Sequence, residues 1–340
     1  MKAAFISSSG GKVELRDVEV PKISEGEILV RMRACGICGT DLEKVYGKPV
    51  TKPTIGHEVV GTVEESNTDR FSKGDRVFAH HHVSCNKCYY CLNDSPTMCS
   101  LFSETNIDPC GFAEFFRVPA VNVEMGAVLN LPDNVSDEEG TFIEPAACVL
   151  RCLERCRFRH GMSAAVIGLG PAGAIFVKIL RELGASFIVA ADVVPFRVKF
   201  AEKIGADISI NTATERLDDV CRKATEGRGV DIAVVATSSS KAIPVALEAV
   251  RKGGTLCLFG APEKGAIVGL DISNIFIREI SLVTSYSTTE KYTNLSLSLI
   301  ASGRIGYSDL ITHRFRLENV DEAFKTAIDA SNAMKVIVRP

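Results

Sequence analysis

Before Thr141, hydrophobic and polar positions alternate along short segments of the chain. These segments are 2–6, 26–34, 59–65, 74–80 and 113–118, and glycine, proline or aspartate residues separate them. Alternation with a period of two is typical of half-buried β-strands. The pattern therefore predicts an irregular, β-rich region at the start of the chain.

The pattern changes at residues 141–159, where the spacing of apolar positions predicts one long helix. Beyond it, continuous apolar segments alternate with amphipathic ones. The predicted strands are 164–170, 187–192, 232–236 and 255–260, and helices are predicted to begin near Ala172, Pro195, Glu215 and Lys241. Apolar strands that alternate with helices indicate βαβ units around a parallel sheet that is covered on both faces.

The last part of the chain contains a further strand at 279–286, a helix at 293–303 and a short final strand at 335–338. We expect this tail to return to the β-rich region. The predicted domains are therefore residues 1–148, residues 149–286, and a returning segment, 287–340, that completes the first domain.

Composition excludes several classes of protein. The 340 residues are 46% hydrophobic and 24% charged, which predicts a folded protein with sizeable cores. A formal net charge of -3 gives no general attraction for nucleic acid or for an anionic membrane. The N-terminus has no apolar signal segment, and glycines and a proline interrupt the longest apolar run, 161–177. We therefore expect a cytoplasmic protein with neither a nucleic-acid nor a membrane partner.

Four of the twelve cysteines form one group: Cys85, Cys88, Cys91 and Cys99, with the spacing C-x2-C-x2-C-x7-C. A structural zinc ion takes four soft ligands in a closed tetrahedron, and short C-x2-C steps place thiolates at that separation. The spacing favours this site over a disulfide pair or scattered cysteines. Cysteines spread through a long chain also fit a reducing compartment.

A glycine-rich turn closes the first predicted strand of the second region. Gly168 permits the tight turn, Gly170 lets the backbone approach a pyrophosphate, and Gly173 lets the next helix pack on the strand. Asp192 ends the following strand, where a carboxylate binds ribose hydroxyls and repels a 2′-phosphate. The motif predicts a dinucleotide site that favours NAD over NADP, although Arg197 could cover the adenine or accept a phosphate. Glycines that serve only a sharp turn are the alternative.

A second group of potential metal ligands lies upstream of the four cysteines. Cys35 and Cys38 are followed by His57 and Glu58, and Glu144 begins the long predicted helix. Thiolate, imidazole and carboxylate together are the mixed ligand set of a catalytic zinc with one open position. Taken singly, each of these residues is more often packed or solvated.

The order of these motifs resembles the zinc-dependent medium-chain dehydrogenase/reductase superfamily over nearly the whole chain. The matching motifs are GICGTD (36–41), GHE (56–58), the four cysteines, Glu144-Pro145, the glycine turn and Asp192. The segments EPAAC, LFGAPEKG and LITHRF are most similar to the polyol branch of sorbitol and L-iditol 2-dehydrogenases, near threonine dehydrogenases and zinc alcohol dehydrogenases. The resemblance implies an α/β fold: a Rossmann doubly wound parallel sheet plus a β-rich GroES-like catalytic domain.

The resemblance implies that Cys38, His57 and Glu58 hold a catalytic zinc, and that Glu144 binds it directly or through a water. Which of the two glutamates binds directly stays open. Asp41 would take the other ring nitrogen of His57 and fix its tautomer. Cys35 is not expected to be a ligand.

By the same resemblance, Thr40 accepts the proton of the substrate hydroxyl and Glu43 passes it towards solvent. Hydride leaves the secondary hydroxyl of a polyol or sugar-like alcohol for NAD, giving a ketone. The implied cofactors are NAD and two zinc ions per chain, one catalytic and one structural. Relatives line the cofactor cleft at the positions of Ala172, Asp192, Arg197, Ala236, Gly260, Ala261, Tyr286 and Ser287. The resemblance also implies a homo-tetramer, or a dimer, that pairs through 279–286.

Two positions depart from the family pattern and leave the substrate open. Glu43 stands where many relatives have a histidine, and some sugar dehydrogenases carry an acid there. Ser287 replaces an arginine that sorbitol dehydrogenases use near the substrate. An aldose (glucose-type) dehydrogenase, an L-threonine 3-dehydrogenase and a non-catalytic NAD-binding structural protein are therefore the alternatives.

Two further groups of residues are interpreted as structural. His80, His81 and His82 are interpreted as strand and loop residues that line the domain, because neighbours on a strand face opposite ways and three in a row cannot converge on one ion. Cys148, Cys152 and Cys156 recur every four residues. This spacing predicts one packed face of the long helix, because cysteine behaves as a small apolar residue.

Overall fold

The structure, a computed structural model, describes residues 1–47 and 54–340. These residues form two compact units. The first contains Met1–Ala147, Ser287–Asp329 and Ala333–Pro340, and the second contains Cys148–Tyr286 and Ala330–Asn332. The division of the chain into independently folding domains at 1–148, 149–286 and 287–340 stays a prediction.

The strands of the described residues are numbered in chain order. They are β1 (Lys2–Ile6), β2 (Val13–Asp17), β3 (Ile28–Gly36), β4 (Glu58–Ser66), β5 (Arg76–Ala79), β6 (Phe115–Val118), β7 (Val128–Asn130), β8 (Ser163–Ile167), β9 (Phe187–Asp192), β10 (Ile208–Asn211), β11 (Val230–Val235), β12 (Val250–Leu258), β13 (Ser281–Thr284), β14 (Ile311–Arg316) and β15 (Lys335–Arg339).

The α-helices are α1 (Gly39–Tyr46), α2 (Tyr89–Leu92), α3 (Ser100–Glu104), α4 (Ala120–Glu124), α5 (Asp137–Gly140), α6 (Ile143–Arg155), α7 (Pro171–Glu182), α8 (Pro195–Lys203), α9 (Leu217–Ala224), α10 (Ala242–Ala249), α11 (Ile272–Ile277), α12 (Glu290–Ala301) and α13 (Val320–Ile328). Short 3-10 turns occur at Pro96–Met98, Ser308–Leu310 and Leu317–Asn319. Within 1–47 and 54–340, every helix is too short or too polar to cross a membrane.

The first unit is built on a seven-stranded sheet. Six of its strands have the order β14-β15-β3-β4-β5-β7, β6 pairs with β3, and β1 and β2 form a separate hairpin. β3 and β4 are the long central strands, and alternate residues of β3 face a core that contains Phe112, Phe116 and Phe324. The five predicted strands of this region are confirmed. β15 pairs with β3, with Val338 opposite Cys35, so the last strand of the chain lies in the sheet of the first unit.

The second unit contains a six-stranded sheet with the order β10-β9-β8-β11-β12-β13, and every pairing in it is parallel. The order reverses between β8 and β11, which is the doubly wound arrangement of a Rossmann fold. All five residues of β8 are buried, because helices cover both faces of such a sheet. The α/β fold predicted from the alternation of strands and helices is confirmed.

The predicted long helix is present as α6 but is shorter than the predicted 141–159. It spans Ile143–Arg155, and Arg157 has a φ of 54°, a left-handed conformation that ends a helix. The predicted packed face is confirmed, because Cys148, Cys152 and Cys156 are all buried.

Candidate metal centre and cofactor site

The structure brings together the thiol, imidazole and carboxylate that the sequence singles out. Cys38 immediately precedes α1, and His57 and Glu58 lie at the start of β4. The pairing of β3 with β4 places Gly36 opposite Glu58, which carries the Cys38 segment to the beginning of β4. One ligand atom from each of Cys38, His57 and Glu58 lies within 4.8 Å of the others. Cys35, predicted not to be a ligand, lies outside this group.

Asp41 is fully buried and connects the two segments of this group. Its Oδ2 accepts from the backbone N–H of Cys38 at 3.1 Å, and its Oδ1 accepts from the N–H of Gly56 at 3.0 Å. The same Oδ1 lies 3.5 Å from Nδ1 of His57. Burial opposes ionisation of Asp41, but the charge of His57 and these hydrogen bonds hold its pKa below the ordinary value. Asp41 therefore orients the imidazole through Nδ1, so that Nε2 is the ring nitrogen that could bind an ion.

Lys335 is a residue of the candidate site that the sequence analysis missed. It begins β15, its side chain is 1% exposed, and its ammonium binds the Glu58 carboxylate, which is also 1% exposed. Nζ also donates to the carbonyl of Ile37 at 3.2 Å and lies 5.5 Å from the centre of the Phe142 ring. A lysine at the start of the apolar segment KVIV is the sequence signal that could have identified it.

The groups around Glu58 have opposing effects on its pKa. Burial raises the pKa of Glu58, and the nearby Glu144 carboxylate raises it further, whereas Lys335 and His57 act in the opposite direction. Burial opposes the charged form of Lys335, but Glu58 raises the pKa of that ammonium. Glu144 is 5% exposed at the start of α6. Both glutamates thus share one buried electrostatic environment.

Replacing Lys335 by methionine is expected to destabilise the protein by about 3 kcal/mol, because it leaves Glu58 buried without its cation. The expected thermal unfolding midpoint is about 10 °C below that of the wild type. Differential scanning fluorimetry of the purified proteins measures this shift.

Lys325→Met is the matched control for this substitution. Lys325 pairs with Asp321 at 2.7 Å, but its side chain is 64% exposed. An exposed pair contributes about 1 kcal/mol or less, so this variant should unfold near the wild-type temperature. Equal midpoints for the two variants would show that the buried pair contributes no more than the exposed one.

The two residues predicted to move the proton lie on α1. Thr40 and Glu43 are both exposed, one and four residues from the start of the helix at Gly39. Although the Glu43 side chain is exposed, the protein atoms around its carboxyl group remove part of its hydration and raise its pKa. A carboxyl group with a raised pKa exchanges protons with water nearer to neutral pH than an ordinary glutamate does.

The interpretation of the three histidines is wrong in one respect. β5 ends at Ala79, so His80, His81 and His82 lie outside any strand and the alternation argument does not apply. Their rings cluster instead: the centroids of His81 and His82 are 3.9 Å apart, and His81 is 4.9 Å from His57. Burial and the neighbouring imidazoles hold the pKa of His81 well below its ordinary value, so this ring is neutral beside His57.

The four-cysteine group also comes together. Sγ of Cys91 lies 3.5 Å from that of Cys88 and 3.9 Å from that of Cys85, and the backbone N–H of Cys85 points to Sγ of Cys99 at 3.4 Å. All four ligand atoms lie within 4.8 Å of one another. Four thiolates at about 2.3 Å from one zinc are separated by about 3.8 Å, so these residues fit a structural zinc.

The glycine turn has the form that a dinucleotide requires. Gly168 has a φ of 92°, and a Cβ on Gly173 would lie 1.9 Å from the carbonyl oxygen of Gly168. Gly170 precedes α7, which begins at Pro171, and a Cβ on Gly170 would meet nothing nearer than the Arg197 guanidinium at 3.7 Å. The backbone at Gly170 therefore offers space for a pyrophosphate at the N-terminus of a helix.

Asp192 ends β9 beside this turn. Its Oδ2 accepts from the backbone N–H of Leu169 at 2.6 Å, and its Oδ1 accepts from that of Val194 at 2.9 Å. Each carboxylate oxygen retains a lone pair with which to accept a hydroxyl. The side chain therefore both holds the glycine turn and can bind a ribose.

Arg197 lies on α8, facing the same turn. Burial lowers the pKa of its guanidinium, Asp192 acts in the opposite direction, and Nε has no hydrogen-bond partner among the described residues. Of the other predicted cofactor contacts, one lies at the start of α7 and the rest lie one to three residues beyond the ends of β11, β12 and β13: Ala172, Ala236, Gly260, Ala261, Tyr286 and Ser287.

Two known families match the two parts of the chain. Residues 24–133 match the family described as "Alcohol dehydrogenase GroES-like domain", and residues 171–302 match "Zinc-binding dehydrogenase". The sorbitol dehydrogenase of Bacillus subtilis (strain 168) is 30% identical over 349 aligned positions, which cover 100% of this chain and 97% of that protein. The L-idonate 5-dehydrogenase of Vitis vinifera is 32% identical, with 94% and 89% covered. The chain belongs to the zinc-type medium-chain dehydrogenase superfamily.

Within this superfamily the dehydrogenase falls in the polyol-like branch, as its motifs predict. Its fold agrees with a solved structure, the alcohol dehydrogenase TADH from Thermus sp. ATN1, with a TM-score of 0.91 at 28% identity and 100% of each chain covered. The protein is therefore an oxidoreductase of the alcohol dehydrogenase type.

Proposed function

We propose that this dehydrogenase oxidises a secondary hydroxyl of a polyol or sugar-like alcohol to a ketone, with NAD as hydride acceptor and two zinc ions per chain. The observation that carries the proposal is the group of Cys38, His57 and Glu58, whose ligand atoms lie within 4.8 Å of one another. A soft thiolate, an imidazole and a carboxylate form the three-ligand set of a catalytic zinc, which keeps one position for substrate.

Zinc held by Cys38, His57 and Glu58 would supply Lewis acidity that lowers the pKa of a bound hydroxyl. The chain's own residues prepare the site for this role. Asp41 holds the His57 ring in one tautomer, and Lys335 compensates the charge of Glu58 in the buried interior. Glu144 adds a further carboxylate to the same environment.

We infer that Thr40 accepts the proton of the substrate hydroxyl, because Thr40 is exposed and lies only two residues after Cys38 in the chain. Glu43, one turn further along α1, would receive that proton and exchange it with solvent. Its raised pKa supports this role, since a proton acceptor and donor works best when its pKa is not far below the working pH.

We propose NAD as the cofactor, which supplies the hydride acceptor when it is bound. The open backbone at Gly170 and the closely packed Gly168 and Gly173 support a bound pyrophosphate. The Asp192 carboxylate supports NAD over NADP, because a 2′-phosphate would meet its negative charge. Arg197 would then cover the adenine.

Relatives named for sorbitol and L-idonate support a polyol or sugar acid as the substrate class. Glu43 favours a second candidate, a glucose-type aldose dehydrogenase, because some sugar dehydrogenases carry an acid at that position. Ser287 replaces an arginine of sorbitol dehydrogenases and therefore argues only against sorbitol itself. L-Threonine 3-dehydrogenase is a third candidate in the same superfamily. A non-catalytic role is disfavoured by the presence of Cys38 and His57.

A substrate panel tests the proposal. Initial rates of NADH or NADPH formation are measured with sorbitol, L-iditol, xylitol, glucose, L-threonine and a simple secondary alcohol, together with zinc content. We expect about two zinc ions per chain, turnover of a polyol with NAD, and loss of that turnover after chelation.

Other results of the panel would contradict parts of the proposal. Preferred turnover of glucose or L-threonine would replace the polyol by that substrate. Faster reaction with NADP would show that Arg197 and not Asp192 decides the cofactor. About one zinc per chain without turnover of any alcohol would support the non-catalytic alternative.

We also propose a homo-tetramer, or a dimer, that pairs through residues 279–286. β13 is an edge strand of the six-stranded sheet, and Leu282 on it is 52% exposed. On the preceding α11, Phe276 is 81% exposed and Ile277 is 76% exposed. Neighbouring apolar side chains of this kind support an interface between subunits.

A further inference from the structure

A third group of sulfur atoms lies in the second unit. Cys152 lies on α6, Cys156 follows the end of that helix, and Cys257 lies on β12. The backbone N–H of Cys156 donates to the carbonyl of Cys152 at 2.9 Å, so the two thiols lie on one face, one turn apart. β12 pairs with β11 on one side and with the edge strand β13 on the other, which fixes the position of Cys257 in the sheet.

The three thiols are buried and close together. Cys152 and Cys257 are 0% exposed and Cys156 is 5% exposed. Their sulfur atoms all lie within 4.8 Å of one another, and those of Cys152 and Cys257 are 3.1 Å apart. Apolar atoms pack best at about 3.5–4.0 Å, so this contact is closer than the packing of three small apolar side chains requires.

The geometry suits one ion bound by three sulfurs. Three thiolates at about 2.3 Å from a central ion lie about 4 Å apart, which falls between the shortest contact of this group and its outer limit. The group falls within the same 4.8 Å limit as the four-cysteine group, in which two sulfur pairs are 3.5 and 3.9 Å apart. It differs in having three sulfurs and, among the described residues, no fourth ligand.

We propose that Cys152, Cys156 and Cys257 form a binding site for one soft monovalent metal ion of the copper(I) class. Thiolates select soft ions, and the group contains neither a carboxylate nor an imidazole that would favour a hard ion. Structural zinc is almost always bound by four ligands, which the four-cysteine group supplies and this one does not. The thiols that bind the ion release their protons to solvent.

The surroundings of the group favour negative charge on one sulfur, that of Cys156, whereas contact with Cys156 and burial raise the pKa of the Cys152 and Cys257 thiols. Hydrogen bonds from Cys152 and Cys257 lower the pKa of the Cys156 thiol against the effect of burial, and the charge of Arg155 acts in the same direction. Arg155 is held in place, because its Nε donates to the carbonyl of Thr284 at 2.9 Å. A bound ion would connect α6 to β12 and would therefore stabilise the second unit.

Copper(I) titration of the full-length protein with its zinc retained tests the site. Under anaerobic conditions, a coloured copper(I) chelator competes with the protein, and copper and zinc are counted in the same samples. We expect the wild type to bind one copper(I) per chain that Cys257→Ala does not bind. Copper(I) should also raise the unfolding temperature of the wild type and leave that of the variant unchanged.

Two further variants make the result specific. Cys221→Ala removes another fully buried cysteine of the same unit, on α9 and outside the group, and should bind copper(I) like the wild type. Cys156→Ala removes the ligand nearest the surface, so it tests the site even when Cys257→Ala fails to fold. It should lower copper(I) affinity at least about tenfold.

Three results would overturn the proposal. The first is equal copper(I) uptake by the wild type, Cys156→Ala and Cys257→Ala. The second is uptake matched by an equal loss of zinc, which would place copper(I) in the zinc sites. The third is the absence of copper(I) binding together with a disulfide between Cys152 and Cys257 after air exposure, detected as a loss of two titratable thiols by mass spectrometry.

Discussion

Cys38→Ala is expected to lower kcat/KM for the preferred alcohol about a thousandfold or more, and to reduce the zinc content by one ion per chain. The sulfur of Cys38 is the only soft donor in its group with His57 and Glu58. A catalytic metal stabilises charge in the transition state by several kcal/mol, and about 4 kcal/mol corresponds to a thousandfold change in rate. Steady-state kinetics and metal analysis of the same preparation measure both effects.

Cys35→Ala is the control for this variant. Cys35 is a buried cysteine three positions upstream, on β3, whose sulfur contacts the carbonyl of Gly36. Its removal leaves a small cavity but takes no donor from the group, so zinc content and kcat/KM should stay within about threefold of the wild type. Full activity of Cys38→Ala, or loss of zinc from Cys35→Ala, would show that the ligand assignment is wrong.

Cys91→Ala is expected to lower the thermal unfolding midpoint by about 15 °C and to release the second zinc ion, because loss of a structural metal costs about 5 kcal/mol. Between Cys88 and Thr105 the chain forms two short helices, α2 and α3, and a 3-10 turn, and helices of that length are unstable alone. Tyr89 is 76% exposed and Leu92 is 72% exposed, so this segment buries little apolar surface. The ion would supply the stability that a core supplies elsewhere.

Tyr90→Ala tests whether the loss of zinc and of stability requires removal of a sulfur or follows from any substitution in this segment. Tyr90 neighbours Cys91 on α2 and is 51% exposed, so its side chain contributes little to packing. This variant should keep both zinc ions and unfold within a few degrees of the wild type, about 1 kcal/mol at most. If Cys91→Ala keeps two zinc ions and the wild-type midpoint, the four cysteines are not a zinc site.

The sequence predicts best those features that are formed by residues close together in the chain. The four cysteines from Cys85 to Cys99 come together because a short segment with C-x2-C steps has few other ways to fold around its sulfurs. The turn from Gly168 to Gly173 follows a buried strand, and its glycines permit the positive φ and the close packing that the structure shows. Alternating and continuous apolar segments likewise identify most strands of both sheets.

The features that the sequence analysis missed depend on pairing between distant segments. Lys335 binds Glu58 across 277 positions, and Cys257 meets Cys152 across 105. The local pattern of apolar residues cannot predict such contacts. The first arises only when β15 joins β3, and the second only when α6 packs near β12. β10 escaped detection for another reason: its sequence, ISIN, is short and half polar.

The three histidines show that the alternation rule for strands fails where a strand ends earlier than predicted. Neighbouring residues on a strand do face opposite ways, but β5 stops at Ala79. Beyond that point the backbone is free to turn, and the rings of His81 and His82 approach to 3.9 Å. Ends of elements are set by the contacts of both flanks, which is why the pattern placed this one too late.

Asp192 constrains how the cofactor preference of this enzyme could be re-engineered. Removing the carboxylate is the obvious first step towards an NADP-dependent variant. Here, however, the same carboxylate accepts from the N–H groups of Leu169 and Val194. A neutral replacement would leave at least one of these buried donors unpaired and loosen the phosphate-binding turn for either cofactor. A switch of preference would therefore require a second substitution that restores an acceptor for Leu169, and evolution along this route would have to pass through a poorly binding intermediate.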